Sequence, residues 1–349
     1  MQSRPRTGTV RPDIVASRGV RVATNKKRVF VPHVLAAAGV DVLKGRDDVD
    51  MVTFPNAASA AEFNALLRSD GEVNGAILGL TRFGESECAG AKGLQVVSRI
   101  GVGYDTVDVP ALTRHHVPLM VAGTANSPSV AEQAMHFMIA LAKRGAYLHA
   151  MVKDGRWRDG LTELPVDLIG KTVLIVGFGR IGTRTAKRCL AMEMNVLIYD
   201  PYVAAATVRA AGCEPSDLDA ALPRADFVTI HCPKTPETIG MFDAARLARM
   251  KSSAYLVNTA RGGIIDEAAL HAALTSRTIA GAGLDVFDLE PTPVDNPLLE
   301  LDNVISAPHM AGVTRESVER MAAQAARNVL SVFDGRPIRE NVINPEALG

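Results

Sequence analysis

The chain has 349 residues, 47% of them hydrophobic and 22% charged, and its 38 basic and 38 acidic side chains cancel to zero net charge. That length exceeds most single cores and predicts two domains, while the charge balance gives no general pull toward nucleic acid or an anionic membrane. Four scattered cysteines, Cys88, Cys189, Cys213 and Cys232, with no C-x-x-C pair, argue against a disulfide framework or a metal site and for a reducing, cytoplasmic setting.

In chain order, the opening residues 1–25 are rich in arginine and nearly free of acids. They read as a flexible basic tail, since a nucleic-acid arm would interleave aromatic rings for stacking. No secretory leader and no membrane span are expected. From Arg28 onward the apolar runs "RVFV", "VDMVTF", "GAILGL" and "LQVVS" alternate with helical patterns such as "AEFNALLRS". This is the rhythm of parallel β/α units with buried strands. A glycine turn, "IGVGYD", follows the fourth run.

"SVAEQAMHFMIALAKR" then predicts a helix capped by Ser129, with Glu132 completing a capping box. Val130, Ala131, Met135, Phe137, Met138, Ile139 and Leu141 make it apolar around most of its girth. Such breadth predicts burial against two partners, its own domain and a second subunit. "KDGRWRDG" predicts a loop with the only Trp, and a homodimer through this helix and arm is expected. A second β/α series begins at Lys171, with strands "TVLIV", "NVLIYD", "DFVTIH", "AYLVN", "IAGAGLDVF" and "NVISA". Helices are predicted to open near Arg180 and within "SDLDAAL", "AARLARM" and "DEAALHAALTS". The last of these is led by Asp266 and Glu267 at its positive end. A final amphipathic helix from about Arg315 to Phe333 stops at "DGRP".

The strongest local signal is "VLIVGFGRIG". Gly177, Gly179 and Gly182 form G-x-G-x-x-G after a strand and before a helix. Gly177 permits the turn, Gly179 admits a pyrophosphate, and Gly182 lets helix and strand pack. The amides of Arg180 and Ile181 then face the phosphates. Asp200 closes the next strand, where a carboxylate binds ribose hydroxyls and repels a 2′-phosphate, favouring NAD over NADP.

Three ionisable residues lie just past strand ends, where open α/β sheets bind ligands: Arg261, Glu290 and His309. A guanidinium forks onto a carboxylate and polarises a carbonyl. An imidazolium donates a proton to a developing alkoxide, and a carboxylate beside it orients the ring. Singly each has a bland alternative: Arg261 paired with Asp266, Glu290 in solvent, His309 as a cap. Beside a dinucleotide turn they form a carbonyl-reducing set. His115 and His116 are neighbours that would face opposite ways on a strand, and His33 is an outside candidate for the cleft.

Together, "VGFGRIG", "HCPKTPET", "LVNTARGGIIDE", "GAGLDVFDLEP" and "SAPHMAG" resemble the NAD-dependent D-isomer-specific 2-hydroxyacid dehydrogenases, in order and spacing from about Leu94 onward. The resemblance implies that Arg261, Glu290 and His309 are catalytic and that Asp285 contacts the nicotinamide amide. It places His231, Pro233 and Thr238 near the adenosine and Ser127 near the nicotinamide, with Thr259 and Ala260 also on the cofactor. Val102 and Gly103 would offer amides to the substrate carboxylate, an anion nest.

The implied fold is α/β: two Rossmann/flavodoxin-like parallel-sheet domains with an interdomain cleft. Residues 26–122 and 314–349 form a discontinuous substrate-binding domain, and 123–313 the NAD-binding domain, with hinges near "VAGTAN" and "AGVT". The expected reaction is hydride transfer between NAD(H) and a small D-2-hydroxy acid or 2-keto acid, of glyoxylate or hydroxypyruvate type. Phosphite-oxidising members carry Lys where this chain has Val102, which argues against that activity. D-3-phosphoglycerate is the rival substrate. Its oxidisers often extend into a regulatory module that is not expected here, and its phosphate would need Arg82 or Arg99. A reading of another class is an NAD-sensing, corepressor-like scaffold.

Overall fold

The structure, a computed structural model, describes residues 26–349 apart from 57, 70 and 162. The basic tail predicted at 1–25 lies outside the described residues. The first unit runs β1 (Lys27–Pro32), α1 (Ala37–Lys44), β2 (Val49–Phe54), α2 (Ala60–Ser69), β3 (Gly75–Leu78), α3 (Glu85–Gly90), β4 (Val96–Arg99), α4 (Val109–Arg114) and β5 (Leu119–Met120). Its sheet is entirely parallel, in the order β2-β1-β3-β4-β5. Residues alternate across it. Val29, Val31, Ile77 and Val96 face one apolar cluster, and Phe30, Ala76, Leu78 and Val97 face another. Covering both faces is what turns a parallel strand into a continuous apolar run.

The chain then crosses to the second unit. Here lie α5 (Ser127–Ala142), α6 (Gly145–Lys153), β6 (Thr172–Val176), α7 (Gly182–Ala191), β7 (Asn195–Tyr199), α8 (Ala205–Ala210) and β8 (Glu214–Pro215). They are followed by α9 (Leu218–Ala221), β9 (Phe227–Ile230), α10 (Ala244–Leu247), β10 (Tyr255–Asn258), α11 (Glu267–Thr275), β11 (Gly281–Leu284) and β12 (Val304–Ser306). Seven parallel strands stand in the order β12-β11-β10-β9-β6-β7-β8. Strand order reverses around β6, which pairs with β7 on one side and β9 on the other. A ligand crevice belongs at the C-terminal ends of such a switch point. Finally α12 (Arg315–Phe333) returns to the first unit, where Ala322, Ala325, Ala326 and Val329 join the cluster under β1 and β4. Among the described residues no helix is long and apolar enough to cross a membrane.

The predicted helix cap needs correction. The long apolar helix starts at Ser127, two residues before the predicted cap, because Pro128 suits a first turn. Ser129 therefore sits inside it and meets Thr314 Oγ1 at 3.2 Å, joining the two crossings, while Glu132 pairs with Arg188. Its girth is also largely spent within the chain. Met135, Phe137, Met138 and Leu141 pack in the cluster of β6 and β7, and only Ile139 of the large apolar residues remains exposed. The "GAYLHAMVK" stretch forms α6, a helix the apolar pattern did not reveal, with Met151 its one buried residue.

The return of α12 depends on a close crossing with α1. A Cβ at Gly39 would lie 2.8 Å from the Ala322 carbonyl oxygen and 2.9 Å from its carbon. Backbone cannot rotate aside, so overpacking of about 1–3 kcal/mol is expected to exceed the roughly 1 kcal/mol of helix propensity gained. Gly39→Ala should lower the urea midpoint of the chain.

Candidate active site

The glycine turn sits between β6 and α7. Gly177 has φ +97°, and a Cβ there would come within 2.8 Å of Cys232 N and 2.9 Å of His231 C. A Cβ on Gly182 would overlap the Gly177 carbonyl oxygen. Gly179 has open space in front of it. Among the described residues the amides of Gly179, Arg180, Ile181 and Gly182 have no hydrogen-bond acceptor. Four free donors at the mouth of a helix fit a dinucleotide pyrophosphate. The helix opens at Gly182 rather than near Arg180, with Ile181 as its cap.

Asp200, at the end of β7, has a second task that its sequence position did not announce. One oxygen accepts from Phe178 N at 2.7 Å and the other from Tyr202 N at 2.9 Å. The carboxylate thus fixes the glycine turn to the neighbouring strand and keeps spare lone pairs. On the other side of β6, His231 Nε2 lies 3.1 Å from Thr229 Oγ1, and its Nδ1 has no partner. Burial pushes this imidazole down to about 3, so it is neutral. Thr238 shapes the following loop by accepting from Thr235 N and donating to the Pro233 carbonyl at 2.7 Å. Ala260 N donates to Asn258 Oδ1, and Thr259 Oγ1 is buried without a partner. Ser127 is buried at the start of α5. Orphaned polar atoms at His231 and Thr259, past the C-terminal ends of β9 and β10, are what a site awaiting a polar ligand shows.

Arg261, Glu290 and His309 follow the ends of three adjacent strands. Asn258 of β10 is level with Leu284 of β11, and Leu284 with Ser306 of β12. The loops beyond are knitted together. His309 Nδ1 lies 2.7 Å from Glu290 Oε2, and the other Glu290 oxygen accepts from Phe287 N at 3.1 Å. Both side chains stay open, at 47% and 37% exposure. With Nδ1 turned to a carboxylate, Nε2 is the ring nitrogen left to carry a proton to or from a ligand. His309 has φ +54°. Asp285 holds it there: its carbonyl accepts from His309 N, and its carboxylate from Met310 N and Ala311 N, each at 2.8 Å. Burial raises the Asp285 carboxyl, and those two amides offset part of the rise.

Arg261 reaches across the cleft into the first unit. It does not pair with Asp266, which caps α11 through Ala269 N. Its Nε donates to Asp105 Oδ2 at 3.2 Å and Nη1 to the Ala260 carbonyl at 2.7 Å. Nη2 lies so close over Gly103 that a side chain there would collide with it. The amides of Val102 and Gly103 have no acceptor among the described residues, which leaves a concave run of donors beneath a guanidinium. Arg99 lies below, 6% exposed, donating Nε to the Gly103 carbonyl at 3.0 Å, with Nη1 unpartnered. Burial pushes it down to about 10, Arg261 adds to the drop, and Asp105 opposes it. Arg82 is exposed.

The remaining histidines stand elsewhere. His115 and His116 follow α4 in a turn rather than a strand, and His115 Nε2 meets Glu85 at 2.7 Å. His33 is exposed past β1. Sequence reasoning missed Asp105 as the partner of Arg261 and the loop-holding role of Asp285, since both depend on contacts between distant segments.

Residues 135–311 match the family model described as D-isomer specific 2-hydroxyacid dehydrogenase, NAD binding domain. The chain is similar to the D-3-phosphoglycerate dehydrogenase of Archaeoglobus fulgidus, 40% identical over 73% of this chain and 48% of that one. It spans about half the length of the curated relatives it matches. Among solved structures, the TT0316 protein from Thermus thermophilus superposes with a TM-score of 0.80 at 32% identity, covering 90% of this chain and 99% of that one. A glyoxylate reductase from Paecilomyes thermophila gives 0.81 at 25%, covering 91% and 98%.

Proposed function

The chain belongs to the D-isomer specific 2-hydroxyacid dehydrogenases, and from there we propose that it transfers a hydride between NAD(H) and a D-2-hydroxy acid or its 2-keto acid. The observation that carries this reading is the 2.7 Å contact between His309 Nδ1 and Glu290 Oε2 at the end of β12, one strand from the Glu290 loop and two from Arg261. When bound, NAD supplies the hydride acceptor or donor. Gly179 to Gly182 hold its pyrophosphate, and Asp200 its ribose. The amides of Val102 and Gly103 and the Arg261 fork bind the substrate carboxylate. Arg261 also draws electron density from the carbonyl oxygen. His309 Nε2 gives a proton to that oxygen in reduction and takes it back in oxidation, with Glu290 holding the ring.

Within this class we favour a substrate with a second anionic group, of the D-3-phosphoglycerate kind, over glyoxylate or hydroxypyruvate. Two things support it. The curated relatives carry that name, and Arg99 places a second guanidinium near Arg261 beneath the anion nest. The similarity to a glyoxylate reductase supports the other choice more weakly.

We assign 26–122 and 314–349 to substrate binding and 123–313 to the cofactor, because α12 packs into the first sheet's core and the family match falls within the second unit. A homodimer through α5 and the "GRWRDG" arm, where Ile139 and Trp157 are exposed, and a reducing, cytoplasmic setting for four free cysteines, complete the proposal.

A panel of 2-keto acids assayed with NADH and with NADPH tests it. The phosphorylated keto acid with NADH should give the highest kcat/KM. A higher value for glyoxylate or hydroxypyruvate would overturn the substrate, and preference for NADPH the role of Asp200. NADH binding without any turnover would overturn the reaction and leave a nucleotide-sensing scaffold.

A further inference from the structure

A crevice of about 850 Å³ opens between the two units, on a side that no proposed catalytic residue lines. Its volume lies within the range of small-molecule sites. One wall is Arg180, in the glycine turn, and Arg184, in the first turn of α7. The other is a face of α12 with Glu319, Arg320 and Arg327, and residues 338–341 close it beside the crossing at 122–125. Four guanidiniums therefore line one cavity, and among the described residues none of them is ion-paired.

Their existing contacts divide them. Arg180 donates to the carbonyls of Gly123 at 3.3 Å and Glu340 at 2.7 Å. Arg320 donates to the Ala125 carbonyl at 2.8 Å and Ser129 Oγ at 3.3 Å. These two pin the crossing. Arg184 and Arg327, one from each unit, have no side-chain acceptor among the described residues. The four guanidiniums outnumber the two lining carboxylates, Glu340 and Glu319, the latter accepting from Ala38 N at 2.9 Å. The α12 wall is rigid: Asn328 Nδ2 donates to the Val121 carbonyl at 2.8 Å, and Asn341 Nδ2 to Asn328 Oδ1 at 2.9 Å, all buried.

We propose that this crevice binds a small dianion of the phosphate or phosphate-ester class, held by Arg184 from the cofactor unit and Arg327 from the substrate unit. Planar forks from two walls match the tetrahedral oxygens of such a group. The site is separate from the pyrophosphate turn, since Arg180 is the one cofactor-assigned residue lining it and its guanidinium is spent on carbonyls. A ligand bound to both walls favours the relative placement of the units in which both guanidiniums reach it. It therefore couples to cleft closure and, by linkage, to substrate affinity.

Calorimetric titration of the whole chain, saturated with NADH and at constant ionic strength, with inorganic phosphate and then inorganic pyrophosphate, tests this. Saturable binding is expected, weakened at least tenfold in the Arg184→Ala, Arg327→Ala double variant with NADH affinity retained. Should that variant unfold, Arg184→Gln with Arg327→Gln makes the same comparison. Absence of saturable binding, equal binding by the variants, or competition between phosphate and NADH would overturn the proposal, the last by placing the anion on the glycine turn.

Discussion

Glutamine in place of His309 is expected to lower kcat for keto-acid reduction by on the order of a hundred- to ten-thousand-fold, the usual worth of a positioned proton donor. The amide still offers a hydrogen-bond donor to the Glu290 carboxylate, so the loop keeps its anchor. What it lacks is a second protonation state. The backbone at φ +54° is held by Asp285 through three amides, not by the imidazole, so the fold of the loop should survive. NADH affinity, read from nucleotide fluorescence, should stay within a few-fold. Steady-state rates on the best keto acid give the test. A variant that retains more than a tenth of the wild-type kcat would remove His309 from proton transfer. Loss of NADH binding would instead point to a collapsed loop.

How much of this arrangement could be read in advance depended on distance along the chain. The strands were legible because a parallel strand covered on both faces is a short, near-continuous apolar run, and "TVLIV" and "AYLVN" are such runs. The glycine turn was legible because its three glycines answer local demands: a positive φ at Gly177, open space at Gly179, and a helix against a carbonyl at Gly182. The three ionisable residues were found because each lies just beyond a strand, and parallel register carries strand ends to one edge. The partners of those residues were not legible. Asp105 stands 156 positions from Arg261, and nothing in either neighbourhood records that a cleft will bring them together. Asp285 was assigned to the cofactor, while its carboxylate supports the His309 loop 25 positions on. The helix start failed for a local reason: the capping-box spacing favoured Ser129, whereas Pro128 suits the first turn and the cap is Asn126.

Lysine in place of Arg261 is expected to lower kcat/KM by on the order of a hundred- to a thousand-fold, comparable with losing an oriented donor at a developing oxyanion. Charge is kept, so long-range attraction for an anionic substrate is little changed. The fork is lost. An ammonium cannot span Asp105, the Ala260 carbonyl and the space above Gly103 at once, as the three guanidinium nitrogens do. The hydrogen bonds that fix the guanidinium over the anion nest go with the fork, so KM should rise as kcat falls. Asp105→Asn separates the two effects. Its ion pair with Arg261 is partly exposed, at 30% and 66%, and such pairs contribute about 0–1 kcal/mol. That variant should stay within roughly fivefold of wild type by the same reckoning. Near-normal kcat/KM in Arg261→Lys would mean that charge alone suffices there, and the carboxylate clamp would have to be sought among the amides of Val102 and Gly103 and the buried Arg99.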